Sequence, residues 1–192
     1  MSVPQLVVTL PAWVELCLAE YPSALHSDDQ RMGLVLELAA QNAAFGGGPF
    51  AAAVFETGSG RLVAPGVNMV LAAGSSVLHA EIVALMLAQK AAGSFDLGAP
   101  GHPACELVAS TEPCAMCLGA IPWSGVRRLV CGARDEDARA IGFDEGHKPP
   151  DWAAALNARD IRVTRDVRRE EAARQLRRYR QEGGPIYNGR GR

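Results

Sequence analysis

No apolar run in this sequence approaches the roughly 20 residues that a bilayer-spanning helix needs. The opening residues lack a positively charged start followed by an apolar segment, so no secretory signal is expected. A charge excess of one sign is also missing. Nineteen Lys and Arg stand against 21 Asp and Glu, a net charge of −2, which argues against broad non-specific affinity for nucleic acid. No internal repeat or low-complexity tract appears. Cysteine is sparse and odd in number, five in 192 residues. Cys17, Cys105 and Cys131 are expected to be buried thiols in a reducing cytoplasm. What is present is the balance of a globular domain, 48% hydrophobic and 21% charged, in a chain long enough to bury a core.

Residues 1–27, with Pro4, Pro11 and Pro22, read as an irregular arm carrying one short helix near 12–20. A helix is expected from a capping Asp28 or Asp29 to about Ala44, stopped by Gly46-Gly47-Gly48-Pro49. Phe50–Phe55 reads as a buried strand, and Arg61–Val67 as its hairpin partner across Thr57–Gly60. Residues 68–78 read as a loop. Helices are expected over Ala80–Ala92, Cys114–Ser124, Asp135–Ala140 and Glu170–Gln181, and strands over Cys105–Ser110, Arg127–Gly132 and Ile161–Thr164. This alternation predicts an α/β domain over 28–182, a three-layer α/β/α sandwich with a central mixed sheet of about five strands. Residues 159–182 hold nine Arg against five acids, which reads as a solvated helix face. Residues 183–192 open on Gly183-Gly184-Pro185, cannot continue a helix and form a tail.

The chemistry concentrates in two motifs. His79-Ala80-Glu81 opens one expected helix, and Pro113-Cys114-Ala115-Met116-Cys117 opens another. Zinc accepts mixed His/Cys ligation in tetrahedral geometry, and catalytic sites leave a fourth position open. His79, Cys114 and Cys117 are therefore the expected zinc ligands. The positive ends of two helices would help keep the cysteines as thiolates. Bound zinc lowers the pKa of water from near 16 to about 7. Glu81, separated from His79 by Ala80 alone, cannot easily join the ligand set and is the expected general acid/base. A redox role for the Cys pair would have no use for His79 or Glu81.

H-x-E with P-C-x-x-C is the known signature of zinc-dependent nucleobase deaminases, and the chain resembles the cytidine-deaminase-like superfamily. Within it, the chain is similar to bacterial guanine deaminases over about residues 30–146. The resemblance lies in Gly47-Gly48-Pro49-Phe50, Val67-Asn68, His79–Glu81, Glu112–Ile121, Trp123 and Ile141-Gly142-Phe143-Asp144-Glu145-Gly146. It implies hydrolysis of guanine to xanthine and ammonia, with amino-triazines such as ammeline as side substrates. It also implies that Glu145 is a second catalytic carboxylate. Guanine offers N1–H and its 2-amino group as donors, and a carboxylate accepts. The implied substrate pocket comprises Asn68, Phe50, Ala80, Trp123, Asp144 and Tyr187. Phe50 and Trp123 would wall the flat ring, and Tyr187 would make the tail an active-site lid. The superfamily implies a cytoplasmic homodimer acting on a small nucleobase, with neither nucleic acid nor membrane as partner.

Read as residues alone, several positions keep a second meaning. Phe50 and Trp123 also suit a core, Asn68 a turn, Glu145 an acidic surface and the tail a disordered end. Two other functions could use the same motif. A tRNA adenosine deaminase would lay the Arg-rich 159–182 segment on phosphates. A non-catalytic zinc-stabilised binding module would need neither Glu81 nor an open ligand position.

Overall fold

The computed structural model describes residues 3–189. The first two residues of the expected arm and the last three of the expected tail lie outside the described residues. The helices are α1 (Ala12–Ala19), α2 (Asp28–Ala44), α3 (Val70–Ala73), α4 (Ala80–Ala92), α5 (Ala115–Ser124), α6 (Asp135–Ala140), α7 (Trp152–Asn157) and α8 (Arg169–Gln181). The strands are β1 (Ala51–Glu56), β2 (Leu62–Val67), β3 (Cys105–Thr111), β4 (Arg128–Ala133) and β5 (Arg162–Thr164). They form one mixed sheet in the order β2-β1-β3-β4-β5. β1 runs antiparallel to β2 and β3, whereas β3–β4 and β4–β5 are parallel. A tight turn suffices for the β1–β2 hairpin, while each parallel step needs a crossover, supplied by α5 between β3 and β4.

Helices cover both faces of the sheet, so the strands are apolar on both faces. Alternation along β1 sends Ala51, Ala53 and Phe55 into one core with α1, α2 and α8, and Ala52 and Val54 into the other with α4, α5 and α7. The expected three-layer sandwich is therefore the observed one. Val14 and Cys17 of α1 pack into the first core, which ties the N-terminal arm to the domain. All five cysteines are buried and free.

Local differences have local causes. α2 is capped by Ser27, not by Asp28 or Asp29. Gln30 N donates to Ser27 Oγ at 3.1 Å, and Ser27 N donates back to Gln30 Oε1 at 3.2 Å, a reciprocal cap. Asp28 and Asp29 then fall in the first turn, where the helix dipole favours acids. The short helices α3 and α7 were not expected, since four and six residues carry almost no periodicity. α8 turns Ala172, Ala173, Leu176 and Tyr179 inward. Its basic side pairs Arg168 with Glu171, Arg169 with Glu136 and Asp137, and Arg178 with Glu182. No described helix is long and apolar enough to cross a membrane.

Candidate metal centre and substrate pocket

The site is assembled from helix starts. His79 is the N-cap of α4 and Cys114 the N-cap of α5, both with extended backbone (ψ 156° and 171°). α4 and α5 pack against each other, which brings their starts to one place, with Cys117 in the first turn of α5. The ligand atoms of His79, Cys114 and Cys117 all lie within 4.8 Å of one another. Cys114 Sγ is 3.4 Å from His79 Nδ1. Zinc bonds of about 2.0–2.3 Å in a tetrahedron set an S···N edge of roughly 3.6 Å. That one edge fits zinc, and the expected ligand set is brought together.

Their electrostatics are those of a coupled unit. Hydrogen bonding with Cys117 holds the Cys114 thiol down at about 4, against the effect of burial. The same contact, with burial, pushes the Cys117 thiol far up. Burial opposes charge on His79, but its hydrogen bond with Cys114 and the nearby Glu81 carboxylate leave it raised. One thiolate beside an imidazole is therefore favoured by the protein alone, and a dication would favour the second thiolate.

Beside the three ligands lies a cavity of about 180 Å³, lined by His79, Glu81 and Cys114 together with Phe50, Asn68, Asp144, Glu145 and Tyr187. Glu81 is buried, and its carboxyl is pushed up to about 7 by burial and by the negative Cys114. Glu145 is likewise buried and pushed up to about 8, first by burial, then by Cys114 and Glu81. Two buried carboxylates thus face one small cavity, and cationic charge at the ligands would draw both values down. Asn68 is 2% exposed. Its Oδ1 accepts from Val70 N at 3.2 Å, which leaves the amide N–H donors for the cavity. Asp144 sits at the rim, where its Oδ1 accepts from Gly146 N at 2.9 Å.

One expected pocket residue lies elsewhere. Trp123 is 81% exposed and does not line the cavity. It stands nine residues after Cys114, so about 100° per residue carries it to the opposite side of α5. Ala80 turns its methyl group into the apolar layer between α4 and the sheet, so only its backbone, between the lining residues His79 and Glu81, stands beside the pocket. Phe50 precedes β1 rather than beginning it. Its ring meets Phe143 edge-to-face at 4.9 Å.

Several contributors went unrecognised in the sequence. Asn42 Nδ2 donates to the carbonyls of Gly48 (2.8 Å) and Asn68 (3.0 Å), fixing two pocket segments from α2. Phe143 touches both Phe50 and Tyr187. Asn188 fastens the tail to the Glu145 loop. It accepts from Asp144 N and donates to Gly142 O, each at 2.9 Å. The glycines opposite Asn42 and Tyr187 were the available signal, since a Cβ on Gly47 or Gly48 would collide with those side chains.

Residues 25–133 match the family model described as the cytidine and deoxycytidylate deaminase zinc-binding region. The chain is 37% identical over 99 residues to guanine deaminase of Bacillus subtilis (strain 168), covering 52% of this chain and 59% of that protein. It therefore spans about three-fifths of that curated relative's length. It is 30% identical over 129 residues to a tRNA-specific adenosine deaminase of Agrobacterium fabrum (strain C58), covering 67% of this chain and 68% of the relative. A solved structure of guanine deaminase from Nitrosomonas europaea is 50% identical, with 92% of this chain and 97% of that one covered, at a TM-score of 0.88.

Proposed function

We propose that this chain, which belongs to the cytidine and deoxycytidylate deaminase zinc-binding family and within it to the guanine-deaminase branch, hydrolyses guanine to xanthine and ammonia. The observation that carries the reading is the pairing of Glu81 and Glu145, both buried, in one small cavity beside a His/Cys/Cys set. A site built only to hold metal has no need of either carboxylate.

Zinc held by His79, Cys114 and Cys117 would supply a Lewis acid that makes water nucleophilic at neutral pH. Glu81 takes the proton from the attacking water and delivers it to N3 as C2 becomes tetrahedral. A second proton transfer through Glu81 releases the 2-amino group as ammonia. Glu145 accepts from guanine N1–H and orients the ring. As a second buried carboxyl, it can also relay a proton towards the leaving amine. Asn68 donates to a ring nitrogen on the imidazole side. Phe50 provides an aromatic wall, and Tyr187 covers the base and limits water. Ammeline presents a similar amidine face and falls within the same proposal. A tRNA reading would have to rest on Arg174, Arg177 and Arg180, since Arg168, Arg169 and Arg178 are engaged by acids.

The test is Glu81→Gln on zinc-loaded protein. Zinc content should hold while guanine turnover falls by roughly 10²–10⁴-fold. Turnover near the parent rate would end this mechanism.

A further inference from the structure

The segment that carries Glu145 has no regular secondary structure from Phe143 to Pro149, yet its position has to be exact for a carboxylate to meet a base. Lys148, three residues on, has a side chain only 6% exposed, and lysine is rarely so buried without partners. Its partners are specific. Nζ lies 2.6 Å from Asp135 Oδ1 and donates to the carbonyl of Pro113 at 2.8 Å, with the Trp152 ring 5.7 Å away. Pro113 immediately precedes the ligand Cys114, so one ammonium joins the Glu145 segment to the metal-binding turn.

Asp135 gathers the other connections. It accepts from Arg139 Nε, and Arg139 Nη2 donates to the carbonyl of Gly146. Asp135 N donates to the buried Glu112 Oε2 at 3.1 Å, which fixes the start of α6 beside the same turn. Ala115 N, in the first turn of α5, donates to the Glu145 carbonyl at 2.9 Å. Gly146 lies at φ +69°, and a Cβ there would come within 2.9 Å of Ala115 Cβ. The segment is therefore pressed onto α5 and held from Gly146 by Arg139 and from Lys148 by its own ammonium, both through Asp135.

We infer that Lys148, with Asp135 and Arg139, is a clamp that sets the place of the Glu145 carboxylate relative to the metal ligands. This makes Lys148 a positioning residue for the deamination. The inference rests on the guanine reading above for its kinetic consequence, but not for the clamp itself. The Lys148 charge also counters the effect of burial on Glu145.

The experiment compares zinc-loaded parent, Lys148→Met, Lys148→Arg and Arg139→Gln. It measures zinc content, amide hydrogen exchange over residues 141–151 and 80–92, and kcat and KM for guanine. Lys148→Met should keep zinc, speed exchange over 141–151 but not over 80–92, and lower kcat about 10–100-fold, the usual range for a residue supporting a metal site from outside its ligands. Lys148→Arg should recover part of both losses. Unchanged exchange in Lys148→Met overturns the clamp, and faster exchange with an unchanged kcat overturns its positioning role. If Lys148→Met does not fold, Arg139→Gln decides in the same way, because that side chain is 42% exposed. A parent inert towards guanine would remove the substrate reading, and exchange alone would then judge the clamp.

Discussion

Gly48→Ala tests whether the C-terminal segment belongs to the working pocket. Gly48 does not have positive φ, so its backbone does not oppose alanine. The obstacle is Tyr187, whose Oη would lie 1.7 Å from the new Cβ, with Cζ at 2.7 Å. Ordinary contact begins near 3.4 Å, so the ring has to retreat by about 1.7 Å. That movement breaks the edge-to-face contact with Phe143 (centroids 5.1 Å apart) and pulls on Asn188 and its two hydrogen bonds. An aromatic pair contributes about 0.5–1.5 kcal/mol, and each hydrogen bond a similar amount. The docked tail thus loses roughly 1.5–4.5 kcal/mol, equivalent to about tenfold or more in its population. Steady-state kcat/KM for guanine should fall at least about tenfold on that conversion, with zinc content and circular dichroism unchanged. In a Tyr187→Ala background the same substitution should cost almost nothing, because the colliding ring is gone. Parent-like kcat/KM in Gly48→Ala, or an equal loss in both backgrounds, would refute the reasoning.

Further outcomes follow from other parts of the structure. Glu106 is fully buried and pairs with both Arg31 and Arg128. Glu106→Gln should destabilise by about 3–5 kcal/mol, lowering the thermal midpoint by roughly 6–20 °C; a shift under about 2 °C would contradict a buried ion-pair staple. Glu145→Gln should keep its zinc on metal analysis yet lose about 10²-fold or more in guanine turnover. An unchanged rate would take away the second carboxylate's role. Stripping metal with a chelator should abolish ammonia release and expose Cys114 to iodoacetamide before Cys17, Cys105 or Cys131. Its thiol is held down at about 4, whereas burial pushes the other three up. Added zinc should restore activity and protect Cys114, and equal labelling of all four would contradict that ordering.

The elements that could be read from the sequence were those that carry their own signals. β1 is an apolar run bounded by glycines, α4 and α5 begin at the metal motifs, and α8 is amphipathic. The ligands and Glu81 were legible because their chemistry fixes residue type and spacing over a few positions. The cap of α2 was misplaced by one or two residues because Ser27, Asp28 and Asp29 are all competent caps, and only the Gln30 side chain distinguishes them. Trp123 was misassigned because an aromatic beside the motif suggests a wall, while helix rotation turns it outward. Asn42, Phe143, Lys148 and Asn188 reach the site from distant elements or irregular segments. Their roles depend on which carbonyls and rings tertiary packing sets opposite them; Gly47 hints at Asn42 and the Ile141–Gly146 block contains Phe143, but nothing local marks Lys148 or Asn188.

The most direct test of the central claim is ammonia release by the zinc-loaded protein with guanine, set beside ammeline, adenine, cytosine, guanosine and a tRNA. Guanine should be turned over well above adenine, cytosine, guanosine and tRNA, with ammeline as a secondary substrate. Ammonia from tRNA alone would keep the zinc chemistry and contradict the substrate. No ammonia from any of the six, with zinc bound, would contradict the proposed catalysis.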